Sequence, residues 1–252
     1  KLIDNFFLSI TYFFILLFNP NTPVYINTSQ SKVGFIRDYI FINLAKIFGR
    51  KVVAHQFGAN YKKFFNSQSS FFQKLITNVL QKTDKIVVEG DFTKRQFNFL
   101  LNFEEKVISI PNGLPEKINS SLISAKNIIA NEPIKLLYLS NMIESKGFWD
   151  VLEAANILIN QHKKNIDIVF SGKFLASVDD EKFIDAEVAK KSFFEYVKKN
   201  NLTEKITYFE GLYGNEKSVA FRNSHFFLLP SYYINEGQPV SVLESLAYGC
   251  VP

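Results

Sequence analysis

Two carboxylates, a lysine and a histidine are the side chains whose type and spacing offer chemistry here. Glu236 and Glu244 stand eight residues apart, with Gly237, Gln238 and Pro239 between them. Pro239 suits the first turn of a helix, having no N–H to leave unsatisfied. Glu236 then falls in the loop at the mouth of that helix and Glu244 in its second turn, so both carboxylates approach one crevice. Gly237 permits close backbone approach to a ligand. The free N–H groups near residues 238–241 and the helix dipole suit a diphosphate. Taken singly, each glutamate reads as a solvated side chain; together they read as a site.

Lys146 is the second candidate. It stands at the start of a helical run whose macrodipole disfavours a cation there by about a few tenths of a kcal/mol. An anionic ligand at that N-terminus would remove the penalty, and a side chain reaching into solvent accounts for it equally well. His55 ends a β-prone run and reads either as a crevice residue or as a satisfied core histidine. His162 and His225 read as incidental, at a helix end and a strand start. Cys250 is the single cysteine. It excludes an internal disulfide, the histidines offer no zinc spacing, and a reducing cytoplasmic compartment fits.

These residues need a scaffold, and the chain supplies alternating strand-like and helix-like runs. Residues 23–27, 51–55, 85–88 and 106–110 read as strands. Helices are expected over 35–48, 70–81 and 92–101. After the breaker-rich Pro111-Asn112-Gly113-Leu114-Pro115, strands resume at 134–139, 166–170, 206–209 and 226–229. The helix after Gly147 is the best patterned: Phe148, Val151, Leu152, Ala155, Leu158 and Ile159 form one apolar stripe. Further helices are expected over 180–199 and 216–222, with a last one from about Pro239. Strands separated by helices of this length indicate parallel βαβ units. The expected fold is α/β, two doubly wound Rossmann-like domains over 1–112 and 134–252. A linker joins them over 113–133, with room for a short helix over 121–130.

Composition narrows the class. Apolar residues make up 47% and charged residues 21% of 252, which excludes disorder and low complexity. The run from Phe6 to Phe18 is shorter than the about 20 apolar residues of a membrane span. It carries no signal-peptide cleavage pattern and reads as a buried helix. Residues 1–110 hold 14 Lys/Arg against 7 Asp/Glu, whereas residues 111–252 hold 15 against 17. A basic first half suits an anionic membrane surface or is simply a solvated lysine-rich face. Nucleic acid is not expected, for there is no basic stripe and no nucleic-acid motif.

The segment Glu236 to Glu244, followed by Ala247-Tyr248-Gly249-Cys250-Val251-Pro252, resembles the signature of the family 4 (group 1) retaining glycosyltransferases. Other pieces match in the family's order. Ile110-Pro111-Asn112-Gly113 is similar to its interdomain segment, and Leu139-Ser140-Asn141 through Lys146-Gly147 to its donor-phosphate loop. Phe209-Glu210-Gly211 and Leu229-Pro230-Ser231 fall where its nucleotide-contacting loops lie. The resemblance spans nearly the whole chain. It implies the GT-B fold, with an acceptor-side first domain and a second domain for a UDP- or GDP-sugar, and no metal cofactor.

By that resemblance Lys146 holds the donor diphosphate and Glu244 the ribose hydroxyls. Glu236, Gly237 and Gln238 face the transferred sugar, with His55 a catalytic candidate. Asn141, Gly211, Ser231 and Pro239 complete the donor set. A lysine and a helix N-terminus would stabilise the leaving phosphate's charge without a metal, and a carboxylate at the sugar would orient hydroxyls or an oxocarbenium-like centre. Two positions depart from the pattern. Asn141 stands where the family has arginine, and lacks its charged fork. Phe57 stands where the family's catalytic histidine precedes glycine.

The implied activity is a retaining transfer to a glycan or lipid-linked acceptor in cell-surface polysaccharide synthesis, with the enzyme in the cytoplasm or on the inner membrane face. A catalytically silent nucleotide-sugar-binding module and a GT-B epimerase are the alternatives, and the Glu-x7-Glu spacing disfavours the epimerase. Each half is shorter than the roughly 150 residues expected of such a domain, so the chain is expected to be the middle of a longer enzyme.

Overall fold

A computed structural model of the chain describes residues 2–115, 117, 118, 123, 125–177, 180–183 and 185–252, with backbone only for 2–6. Backbone proximity divides it into two compact units: Lys1–Asn112 with Asn235–Gln238, and Gly113–Ile234 with Pro239–Pro252. Each is an α/β unit around one parallel four-stranded sheet.

The first unit runs α1 (Leu2–Phe18), β1 (Val24–Asn27), α2 (Lys32–Ile47), β2 (Val52–Gln56), α3 (Tyr61–Asn66), α4 (Ser70–Lys82), β3 (Lys85–Val88), α5 (Phe103–Lys106) and β4 (Val107–Ser109). Its strands lie in the order β1-β2-β3-β4. Strand residues Val52, Ala54, Ile86, Val88 and Val107 are fully buried with Ile42 and Ala45 of α2 and Ile76 of α4. Period-2 strand faces and period-3.6 helix faces thus meet in one core. Ser31 and Ser69 cap α2 and α4, accepting from Gly34 N (3.2 Å) and Phe72 N (3.4 Å).

Two expectations fail in this unit. Residues 92–101 are not one helix: a 3-10 run spans Asp91–Phe97, and α5 starts only after Asn102, whose backbone is left-handed (φ 51°). Asn98 and Leu100 donate to carbonyls three residues back, which breaks the α-helical ladder. Nor is α1 buried. Leu16 is covered and Tyr12 stacks on Phe41, but Phe14 and Phe18 are 50% and 73% exposed. Periodicity showed an apolar helix without showing how little of it α2 covers. Among the described residues no helix is long and apolar enough to cross a membrane.

The second unit runs β5 (Ile134–Leu139), α6 (Phe148–Asn156), β6 (Ile166–Ser171), α7 (Ala186–Lys199), β7 (Ile206–Phe209), α8 (Gly214–Asn223), β8 (Phe226–Phe227) and α9 (Val240–Ala247). Strand order is β7-β6-β5-β8, all parallel. The chain steps outward from β5 to β7 and then returns to the other side of β5. That reversal is a topological switch point, where open α/β sheets place ligands beyond the carboxyl ends of their strands. Phe148, Val151, Leu152 and Ala155 of α6 are buried with Phe170 and Phe193, as the stripe predicts. Phe221, Phe227, Tyr248 and Cys250 form a second cluster.

Three boundaries move. The helix expected from residue 180 begins at Ala186, because Asp185 caps it, accepting from Glu187 N (2.8 Å) and Val188 N (3.1 Å). Asp180 is buried elsewhere, accepting from Ser145 Oγ at 3.1 Å. β8 is only two residues long. Of the linker helix, 121, 122 and 124 lie outside the described residues, and 125–129 are irregular.

Candidate active site

The carboxyl ends of three strands open onto a crevice in the second unit. Its volume is about 130 Å³, and it is lined by Leu139, Ser140 and Asn141 after β5, Ser171, Gly172 and Lys173 after β6, and Glu210–Tyr213 after β7. Ligand pockets typically hold about 300–1,000 Å³, so this crevice takes one part of a ligand. The β5 and β6 loops are tied together: Met142 N donates to the Lys173 carbonyl at 2.8 Å. A Cβ on Gly172 would stand 1.8 Å from the Ser140 carbonyl oxygen, so only glycine lets these strand ends meet. Asn141 and Gly211 of the expected donor set line this crevice. A larger apolar hollow of about 570 Å³, between the sheet and α8, contains none of them.

Lys146 stands at the switch point. It ends a 3-10 turn, Glu144–Lys146, just before the left-handed Gly147 and outside α6 rather than in its first turn. The turn is anchored on both flanks. Glu144 accepts from Lys182 N and Phe183 N (2.7 and 2.9 Å), and Ser145's carbonyl accepts from Tyr232 N at 2.8 Å. The Lys146 ammonium lies 5.4 Å from the centre of the Tyr233 ring, within cation–π reach. Ser231 shapes the same loop: its hydroxyl accepts from Tyr233 N at 3.3 Å. A positive charge therefore sits where β5 and β8 diverge.

Glu244 lies in the second turn of α9, 7% exposed, in an ion pair with Lys217 of α8 at 2.6 Å. Lys217 is absent from the sequence expectations. It is 27 residues away on another helix, and no local pattern announces the pair. Lys173 and Tyr213 were missed too, although both follow strands and inspection of every post-strand loop would have found them. Pro239 is the residue capping α9 rather than its first helical residue.

The remaining candidates belong to the first unit. His55 is the fourth residue of β2, not its end, and is 8% exposed. Its Nδ1 hydrogen-bonds the Tyr25 hydroxyl and its ring stacks on Phe57 at 4.0 Å, while Nε2 is buried with no hydrogen-bond partner among the described residues. Burial holds the imidazole below its usual pKa, opposed by the charge of Glu89. Glu236, Gly237 and Gln238 form the short segment that this unit takes in. The sequence predicts that the Gln238 N–H is free for phosphate, but it is not: it donates to Glu89 at 3.2 Å. Buried donors find acceptors, and Glu89 supplies one. Among the described residues no group of three or more His, Cys, Asp or Glu side chains is placed to hold a metal ion.

Solved structures share this fold. The Anabaena Alr3699/HepE protein in complex with UDP matches 96% of the chain at 11% identity and TM-score 0.67, over 61% of its own length. The E. coli trehalose-6-phosphate structure bound with UDP-2-fluoro glucose matches 98% at 13% identity and TM-score 0.67, over 60%. The apo lipopolysaccharide outer core galactosyltransferase WaaB matches 97% at 13% identity and TM-score 0.59, over 60%. The chain thus spans about three fifths of the length of these structures. At these identities the likeness concerns fold, the GT-B class of two Rossmann-like units. No curated protein matches the chain significantly. A sequence-family model does: residues 119–252, from the linker through β5–β8 and the Glu236–Glu244 segment, fit the glycosyl transferases group 1 model. With more than half its length inside that match, and its crevice and lysine at the switch point, the chain belongs to the glycosyl transferases group 1 family.

Proposed function

We propose that the protein is a retaining glycosyltransferase that moves a sugar from a UDP- or GDP-sugar to a glycan or lipid-linked acceptor in cell-surface polysaccharide synthesis. The observation that carries the reading is Lys146 at the switch point of a sheet whose strand ends open onto the crevice, within a group 1 family match. In the reaction the anomeric carbon–oxygen bond to the diphosphate breaks and one to an acceptor hydroxyl forms, the hydroxyl proton being released. Charge builds on the leaving phosphate. Lys146 stabilises it by electrostatics, with no metal required. Glu244, ion-paired with Lys217, accepts hydrogen bonds from the ribose, and Glu236 orients the sugar.

Three of the similar structures support a UDP-type donor by what they hold: HepE with UDP, HepE with UDP and glucose, and the E. coli structure with UDP-2-fluoro glucose. WaaB, a lipopolysaccharide galactosyltransferase by name, supports the cell-surface setting. The exposed aromatic face of α1 on a basic first half supports contact with the inner membrane surface. Titration with UDP- and GDP-sugars, followed by donor hydrolysis and transfer, tests the activity. Turnover abolished by Glu236→Ala, with donor affinity lost in Lys146→Ala, is expected. Full affinity in Lys146→Ala would overturn the phosphate assignment.

A second reading rests on Asn141 and Phe57: a silent module that binds nucleotide-sugar without turnover. Binding with no hydrolysis, unchanged by Glu236→Ala, would establish it.

A further inference from the structure

We propose that Glu89 is a positioning residue, holding the segment Glu236–Gln238 in register for the transferred sugar through a carboxylate that accepts three N–H groups. The inference rests on the reading that this segment faces the sugar. Glu89 directly follows β3 and is 7% exposed. Its Oε2 accepts from Gly58 N at 3.0 Å and Gln238 N at 3.2 Å, and its Oε1 accepts from the side-chain amide of Asn112. Among the described residues no salt bridge reaches it; backbone and amide N–H groups supply its hydrogen bonds, and its charge also acts on the His55 imidazole. Buried charge in such a place is costly unless every oxygen is used.

The donors it gathers converge on one residue. The Asn112 amide donates its other hydrogen to the Gln238 carbonyl at 2.9 Å, and Asn112 N donates to Gln238 Oε1 at 2.7 Å. Gln238 is thus fixed at its N–H, its carbonyl and its side chain. One residue earlier, a Cβ on Gly237 would lie 1.6 Å from Glu89 Oε2 and 3.1 Å from Gly58 Cα. Asn60 adds a 3.1 Å bond to Asn235 Oδ1. The segment carrying Glu236 is therefore pinned on both sides of that glutamate.

A carboxylate is the group this arrangement calls for. Three N–H donors approach two oxygens, and a glutamine at 89 would turn its own NH2 towards one set of them. Glu89→Gln is consequently close to isosteric yet frustrated. A residue that merely holds the fold would, when altered, weaken all ligands alike. A residue that sets the sugar-facing segment would weaken only ligands that carry a sugar.

The test measures affinity for UDP, GDP, UDP-glucose and GDP-mannose calorimetrically, with kcat and KM for donor hydrolysis. Glu89→Gln is expected to leave the bare nucleoside diphosphate within about twofold and to weaken the nucleotide-sugar about tenfold, the scale of one buried charged hydrogen bond. Hydrolytic kcat is expected to fall with it. Asn112→Ala keeps the carboxylate but removes one donor, so a smaller loss confined to the sugar-bearing ligand serves if Glu89→Gln does not fold. A variant that keeps the wild-type ratio of the two affinities overturns the inference. A wild-type protein that binds none of the four overturns the function reading, and the inference falls with it.

Discussion

Glu244, the proposed ribose ligand, lies 2.6 Å from the Lys217 ammonium and shares its shielded position with it. Removing one partner of a buried pair strands the other, at a cost of about 3 kcal/mol. Lys217→Met is therefore expected to lower the urea midpoint of the second unit and to weaken nucleotide binding; an unchanged midpoint would show that the pair contributes nothing. His55 makes a different prediction. Burial depresses its folded pKa below 6.5, so as pH falls the unfolded chain takes up this proton first. The stability it affects is whole above about pH 6.5 and declines below it. Melting temperature followed from pH 7.5 to 5 should fall less in His55→Gln, and parallel curves for the two proteins would refute this. Neither feature was legible in the sequence beyond the candidacy of Glu244 and His55. Pairing across 27 residues, like the three donors on Glu89, exists only once helices and strands have packed.

Elements were far more legible than their ends. β3, β5 and β7 fall on the expected residues because each is a short apolar run between polar turns. α6 follows its stripe because Phe148, Val151, Leu152 and Ala155 share one face. Residues 92–101 misled because apolar spacing does not distinguish an α-helix from a 3-10 run that ends at Asn98. The meeting of β5 and β6 at their carboxyl ends is set by a contact no periodicity reports: Gly172 against the Ser140 carbonyl. Gly172→Ala must push those strand ends apart, at a cost of about 1–3 kcal/mol. Nucleotide affinity should drop while α6 and α7 keep their amide-exchange protection, since the damage is confined to the crevice mouth. Wild-type affinity in that variant would show that the crevice is not where the nucleotide sits.

At the scale of the molecule, two Rossmann-like units and a charge imbalance between the halves were both readable from residue order alone. How much of α1 is covered was not, because coverage depends on the neighbour and not on the helix. Its exposed Phe14, Ile15 and Phe18, on the half with twice as many basic as acidic residues, make the membrane reading testable. Binding to vesicles containing anionic phospholipid should exceed binding to neutral vesicles. It should weaken as salt shortens the screening length from about 10 Å at 0.1 M to about 3 Å at 1 M. Phe14→Ser/Phe18→Ser should reduce it further; equal binding to both vesicle types would remove the membrane from the proposal.

Cys250, 3% exposed, is held against the carbonyls of Phe221 and Ser224 and lies 3.0 Å from the Lys126 ammonium. The one tryptophan, Trp149, is on α6 in the same unit, with the Lys182 ammonium 4.2 Å from its ring. The chain's sole thiol and sole indole therefore both report on the second half and neither on the first. Alkylation of Cys250 proceeds only when that half opens, so its rate is a clock for local unfolding. Added nucleotide should slow the clock in proportion to occupancy, turning one unengineered side chain into a readout of donor affinity.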